Sequence, residues 1–177
     1  DMDWESIRAG LGSFISDAST APGRFNVFSY KGATLIADYG HNPDAIIALV
    51  RAIETMPAKR RSVVISAAGD RRDEDIRQQT QTLGDAFDEV ILYEDACMRG
   101  RDEGETIALL RAGLAGAKRT GSVDGIKGEF VAIDAALGRL KQGFLIQAHR
   151  IMLQRQDAAV AQSRFDQRFG AQPGLRR

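Results

Sequence analysis

The chain has 177 residues, 44% hydrophobic and 27% charged, with 24 Lys and Arg balanced by 24 Asp and Glu. That length and apolar content suit one domain with a real core and exclude wholesale disorder, and zero net charge excludes a global field for nucleic acid. No apolar run nears the ~20 residues that span a bilayer, no secretory leader is expected, and the single Cys97 has no internal disulfide partner, which points to a reducing, cytoplasmic compartment.

In chain order, Trp4, Ile7 and Leu11 stand three and four apart, so one or two helical turns are predicted to pack an apolar face. The runs Phe25 to Tyr30 and Ala33 to Ala37 flank Lys31-Gly32, which predicts a β-hairpin. After Asp38-Tyr39-Gly40-His41, Asn42 caps a helix with Pro43 in its first turn. Ile46, Ile47, Leu49, Val50 and Ile53 form its apolar stripe.

Strands then alternate with helices. Ser62 to Ser66, Glu89 to Tyr93, Val123 to Ile126 and Phe144 to Ala148 are predicted strands. Between them fall helices from Asp73 to Phe87, Glu103 to Ala117 and Glu129 to Leu140, the last with Phe130, Ile133 and Leu137 on one face. The alternation predicts an α/β fold in three layers, with a mainly parallel sheet and an antiparallel hairpin at its start. Residues 1–19 are a lead-in, 20–150 the domain, and 151–177 a basic helix and tail. From His149 onward six Arg meet only Asp157 and Asp166, a net of +4, so the first 148 residues carry −4. Such a run is read as a solvated surface.

Ligands of open α/β sheets bind beyond the carboxyl ends of the strands. Three segments qualify. In the first, Asp38 can accept from ribose hydroxyls, while His41 and the helix start can meet phosphate. The same residues can equally end a strand, cap a helix and occupy a loop. In the second, Asp70 with Arg71 or Arg72 can hold a zwitterion, although Asp73 and Glu74 beside solvated arginines explain the spacing more simply. In the third, Cys97 stands near Arg99 and Arg101 without a neighbouring histidine, which makes a poor nucleophile site. His41, His149 and Cys97 offer no zinc ligand set. The sequence contains no G-x-x-x-x-G-K-[ST], no G-x-G-x-x-G after a strand and no G-x-S-x-G. The residues alone therefore give a ligand-binding α/β domain without a complete catalytic apparatus.

Pro22-Gly23-Arg24-Phe25 followed by Asp38-Tyr39-Gly40-His41-Asn42-Pro43-Asp44 resembles the C-terminal domain of Mur ligases. Ser66-Ala67-Ala68-Gly69-Asp70-Arg71-Arg72-Asp73-Glu74-Asp75-Ile76, with Leu83 to Asp88 and Ile91 to Asp95, is most similar to the cyanophycin synthetase branch. The resemblance runs from about Thr20 to Ala148. It implies a Rossmann-like domain that closes over ATP with Mg, both held mainly by a separate P-loop domain in the same protein or another subunit. It implies activation of a carboxylate as an acyl phosphate and attack by an amine. Arg24 would then reach the phosphates, Asp38 the ribose, and His41 and Asn42 the phosphate side. Asp70, Arg71 and Arg72 would face the incoming amino acid or peptide, with arginine as a candidate and Asp70 as its guanidinium partner. The same residues also admit a stand-alone nucleotide or amino-acid binding module, or a remnant whose motifs serve packing. Neither nucleic acid nor membrane is an expected partner, and the 177 residues alone are expected not to turn over.

Overall fold

The computed structural model describes residues 2–14, 20–140 and 144–149. The predicted tail, 151–177, and Ile15 of the lead-in lie outside the described residues.

Helix α1 (Trp4–Ser13) is capped by Asp3, whose carboxylate accepts from the Ser6 amide. The predicted helix is there, but its predicted buried face is not: Trp4 is 66% and Leu11 72% exposed. Amphipathic spacing states which residues share a face, not whether anything covers it.

Strands β1 (Asn26–Tyr30) and β2 (Ala33–Asp38) pair antiparallel. Lys31 and Gly32, at φ 50° and 76°, make the two-residue turn whose twist suits a hairpin. Helix α2 (Pro43–Glu54) follows, then β3 (Arg60–Ile65), α3 (Asp73–Ala86), β4 (Glu89–Glu94), α4 (Glu105–Gly113), β5 (Ser122–Lys127), α5 (Glu129–Gly138) and β6 (Phe144–His149). The sheet order is β1-β2-β6-β3-β4-β5, and every pairing except β1 with β2 is parallel. The last strand is thus inserted between the second and third.

Alternation along the central strands sorts the core into two layers. Val63, Ile65, Val90 and Leu92 face α2, α3 and α4 through Ile46, Val50, Ile53, Ile76, Leu83, Leu109 and Leu110. Val64, Ile91 and Tyr93 face α5 through Ala132 and Ala136. With both faces covered, β3 and β4 carry continuous apolar runs, Val63 to Ile65 and Val90 to Tyr93, as parallel strands do. The three-layer α/β expectation holds.

Two helices depart from expectation. In α5 the sheet is met by Ala132 and Ala136, with Ile133 only partly buried, while Phe130 stays 42% exposed. A helix lying close to a sheet touches it through small residues, and a pattern built on large ones misplaces its face. Helix α4 stops at Gly113, short of the predicted Ala117; at its end Thr80 Oγ1 donates to the Leu110 carbonyl at 2.7 Å. That carbonyl would have accepted from Leu114, whose amide turns to Arg111 instead.

Candidate functional site

Parallel strands bring the segments after β2, β3 and β4 to one edge of the sheet. The segment after β2 is built around Asp38. Its Oδ2 accepts from the Phe25 amide at 2.9 Å and its Oδ1 from the Gly40 amide at 2.6 Å. Phe25 has φ 50°, a backbone region that costs a bulky residue ~1–2 kcal/mol. Asp38 helps hold it there. Buried Asn26 closes the same turn, accepting from the Gly23 amide at 2.6 Å and donating to the Ala21 carbonyl at 3.0 Å. Tyr39 donates its amide to the Gly23 carbonyl at 2.7 Å. The turn presents exposed Arg24 with its guanidinium 5.5 Å from the centre of the Tyr39 ring. The His41 ring lies at a centroid distance of 5.2 Å from the Tyr39 ring.

Thus Arg24, Asp38 and His41 converge around Tyr39, a residue that sequence reasoning passed over. Its only signal was its place between two polar candidates.

Asn42 caps α2 as expected, accepting from the Ala45 amide at 2.8 Å. The expected row of free amides is shorter than the sequence suggested. Pro43 carries none, Ala45's is capped, and Ile46's goes to the Asn42 carbonyl. Of this turn, only the Asp44 amide is left for an anion, supported by the helix dipole.

After β3, the run Ser66 to Gly69 leads to exposed Asp70, Arg71 and Arg72. Asp70 accepts from Arg99 Nη1 at 3.0 Å. Arg72 forks onto Asp75 at 3.0 and 2.8 Å, and that bonded guanidinium holds the Asp75 carboxyl below its usual range. Arg101 organises the loop from the β4 side. Its Nε donates to the Gly69 carbonyl at 2.7 Å, and its Nη2 to the Arg71 carbonyl at 2.7 Å and Asp73 at 2.8 Å. Nη1 bonds Glu105. Arg99 and Arg101 therefore serve carboxylates and carbonyls; Cys97 is exposed. Sequence reading had considered these arginines only as neighbours of that thiol.

Glu94 ends β4, 5% exposed, with Oε2 accepting from the Gly104 amide at 2.7 Å. Gly104, at φ 86°, starts α4 without a side-chain cap of its own. Among the described residues no group of three or more His, Cys, Asp or Glu is placed to hold a metal ion. No described helix is long and apolar enough to cross a membrane.

The sequence profile of the Mur ligase glutamate ligase domain matches residues 23–148. Cyanophycin synthetase of Geminocystis herdmanii (strain PCC 6308) is 35% identical over 145 residues, covering 82% of this chain and 16% of that protein. The enzyme of Synechocystis sp. is 33% identical over the same length and shares. The chain thus spans about one sixth of the length of these relatives. Among solved structures, E. coli FolC in complex with ADP superposes with a TM-score of 0.68 at 23% identity, covering 97% of this chain and 36% of that one. UDP-N-acetylmuramoyl-L-alanyl-D-glutamate–2,6-diaminopimelate ligase superposes with 0.65 at 20% identity, covering 94% and 35%. These two likenesses speak to the fold.

Proposed function

Because the chain belongs to the Mur ligase family through its glutamate ligase domain, we propose that it is the nucleotide-closing, amine-side domain of an ATP-dependent amide-forming ligase of the cyanophycin synthetase type. The observation that carries this reading is the convergence of Arg24, Asp38 and His41 around Tyr39, at the carboxyl edge of the sheet and inside the matched span.

The donor set suits one side of a nucleotide. Exposed Arg24 and the Asp44 amide can meet phosphate oxygens, and His41 can donate a further hydrogen bond to them. Each Asp38 oxygen already accepts one amide and keeps lone-pair capacity for a ribose hydroxyl. Asn42 uses its Oδ1 on the cap, which aims the helix start, and its Nδ2 can still donate toward the phosphate side. ATP would supply the phosphoryl group that makes a carboxylate reactive toward an amine. Arg24 would offset charge on the phosphates from outside, as a preorganised donor. Magnesium would be held mainly by the P-loop domain.

The loop from Gly69 to Arg72 would face the incoming amine. Arg99 takes Asp70 Oδ2, so a guanidinium substrate would meet the other carboxylate oxygen or exchange with that arginine. The chain would turn over only beside the P-loop domain, in the same protein or as a partner subunit.

Asp38 also favours a second reading, in which the motif serves the fold, because both of its oxygens hold backbone amides. Calorimetry with a non-hydrolysable ATP analogue separates the two. Under the proposal, Arg24→Ala weakens binding by ~1–3 kcal/mol, the loss of a charge-assisted contact, with unfolding unchanged. Equal heats for both proteins would leave only the structural role.

A further inference from the structure

Gln79 sits on α3 and is 1% exposed. Its Nε2 donates to the His41 carbonyl at 3.0 Å, across 38 residues of sequence. A carbonyl only accepts, so the amide nitrogen must point toward the turn. The other end of the same amide, Oε1, is buried without a partner among the described residues.

A half-satisfied amide is a poor strut. The bond made by Nε2 is offset by the acceptor left dry at Oε1. An unbranched apolar side chain would fill the space between α2 and α3 about as well. What it would lack is a hold on the His41 peptide. Among the described residues, Gln79 supplies the side-chain hydrogen bond that ties the backbone of residues 39–42 to α3.

Helix α3 starts at Asp73, directly after the loop from Gly69 to Arg72. Gln79 lies six positions along the helix from Asp73, about 9 Å along the axis. One rigid element therefore carries the loop at its start and grips the turn about one and two-thirds turns later.

We propose that Gln79 is a positioning residue: through the His41 carbonyl it fixes the turn from Asp38 to Asn42 relative to the loop from Gly69 to Arg72. The consequence for ligand affinity rests on the reading of that turn as nucleotide-facing.

The test uses the full 177-residue chain with Gln79→Met, which keeps length and removes both polar atoms, and Gln79→Glu, which sets an acceptor against a carbonyl. Three quantities are followed: the thermal midpoint, the affinity for a non-hydrolysable ATP analogue, and the His41 ring resonances by NMR. With only two histidines in the chain, those resonances are readily assigned.

For Gln79→Met the midpoint should stay within about 2 °C, while affinity falls roughly five- to tenfold, the effect of one net hydrogen bond. The His41 resonances should move. Gln79→Glu should weaken binding at least as much. Unchanged affinity with unmoved His41 signals overturns the proposal. So does a midpoint lowered by more than about 5 °C in Gln79→Met, which would make Gln79 a folding strut. If the parent chain binds no analogue, the nucleotide reading fails by itself. The His41 signals then decide alone: moved, they support the hold on the turn; unmoved, they refute it.

Discussion

Removing the Arg101 side chain should loosen two loops at once. Its guanidinium, 13% exposed, reaches from the segment after β4 to the carbonyls of Gly69 and Arg71, roughly 30 residues back. The loops also meet directly, since a Cβ on Gly69 would run into the Met98 carbonyl. The contacts with Asp73 and Glu105 are ion pairs to carboxylates that are 50% and 43% exposed, so they are worth under ~1 kcal/mol together. The two carbonyl bonds involve a charged donor that is itself mostly buried, and about 1 kcal/mol each is a fair net value. Arg101→Ala should therefore lose about 2–3 kcal/mol. In a chain of this size that is roughly 5–10 °C in thermal midpoint.

Urea unfolding is the direct assay: the midpoint should fall with the slope unchanged. Arg101→Lys should recover less than half, because one ammonium cannot fork onto both carbonyls and the carboxylates. Raising salt to about 1 M should leave most of the Arg-to-Ala difference in place, since screening acts on the exposed pairs and little on the carbonyl bonds. A loss under about 0.5 kcal/mol, or Lys equal to Arg, would refute the clamp.

Asp38→Ala should destabilise by about 2 kcal/mol, because the Phe25 and Gly40 amides lose their acceptor, whereas Asp38→Asn, which keeps one oxygen, should lose about half; chemical denaturation of both variants checks this. Gly113→Ala would drive a methyl into the Arg77 carbonyl and Thr80 Oγ1 where α3 and α4 touch. Overpacking should outweigh the better helix propensity, for a net loss of ~1–3 kcal/mol seen as a lowered midpoint. Burial pushes the Asp88 carboxyl up, but bonds from the Arg119 guanidinium and the Arg61 amide prevail and hold it below its usual range. A depressed carboxylate contributes stability above its unfolded pKa of ~4 and loses it as pH falls through the lower folded value. Stability should thus drop below about pH 4, and Asp88→Asn should flatten that part of the urea-midpoint profile.

Much of the fold was legible because β3 and β4, covered on both faces, carry the apolar runs Val63 to Ile65 and Val90 to Tyr93. Lys31-Gly32 and Asn42-Pro43 declared a turn and a cap through backbone chemistry that is local. The insertion of β6 between β2 and β3 was not legible, since pairing across the sheet leaves no trace in one strand's composition. The same holds for Thr80, which bonds the end of α4 from another helix, and for the face of α5, set by closeness to the sheet. In the candidate site, Asp38 and His41 were visible as polar residues at a strand end, whereas Arg24 stood out only through the family resemblance. Tyr39 at their centre, the Arg101 clamp and the Gln79 hold were not visible. Each joins segments far apart in sequence, and a single arginine or glutamine carries no mark of its distant partner. Asn42 shows the opposite case: its cap was foreseen, while the shortage of free amides behind it came from counting every bond in the turn.

The most direct measurement is an amide-resolved NMR titration of the chain with a non-hydrolysable ATP analogue. The account predicts shifts concentrated at Gly23 to Phe25 and Asp38 to Ala45, reduced in Arg24→Ala. Shifts gathered at the opposite edge of the sheet, around Arg61, Asp88 and Arg119, or no shifts at millimolar ligand, would contradict it.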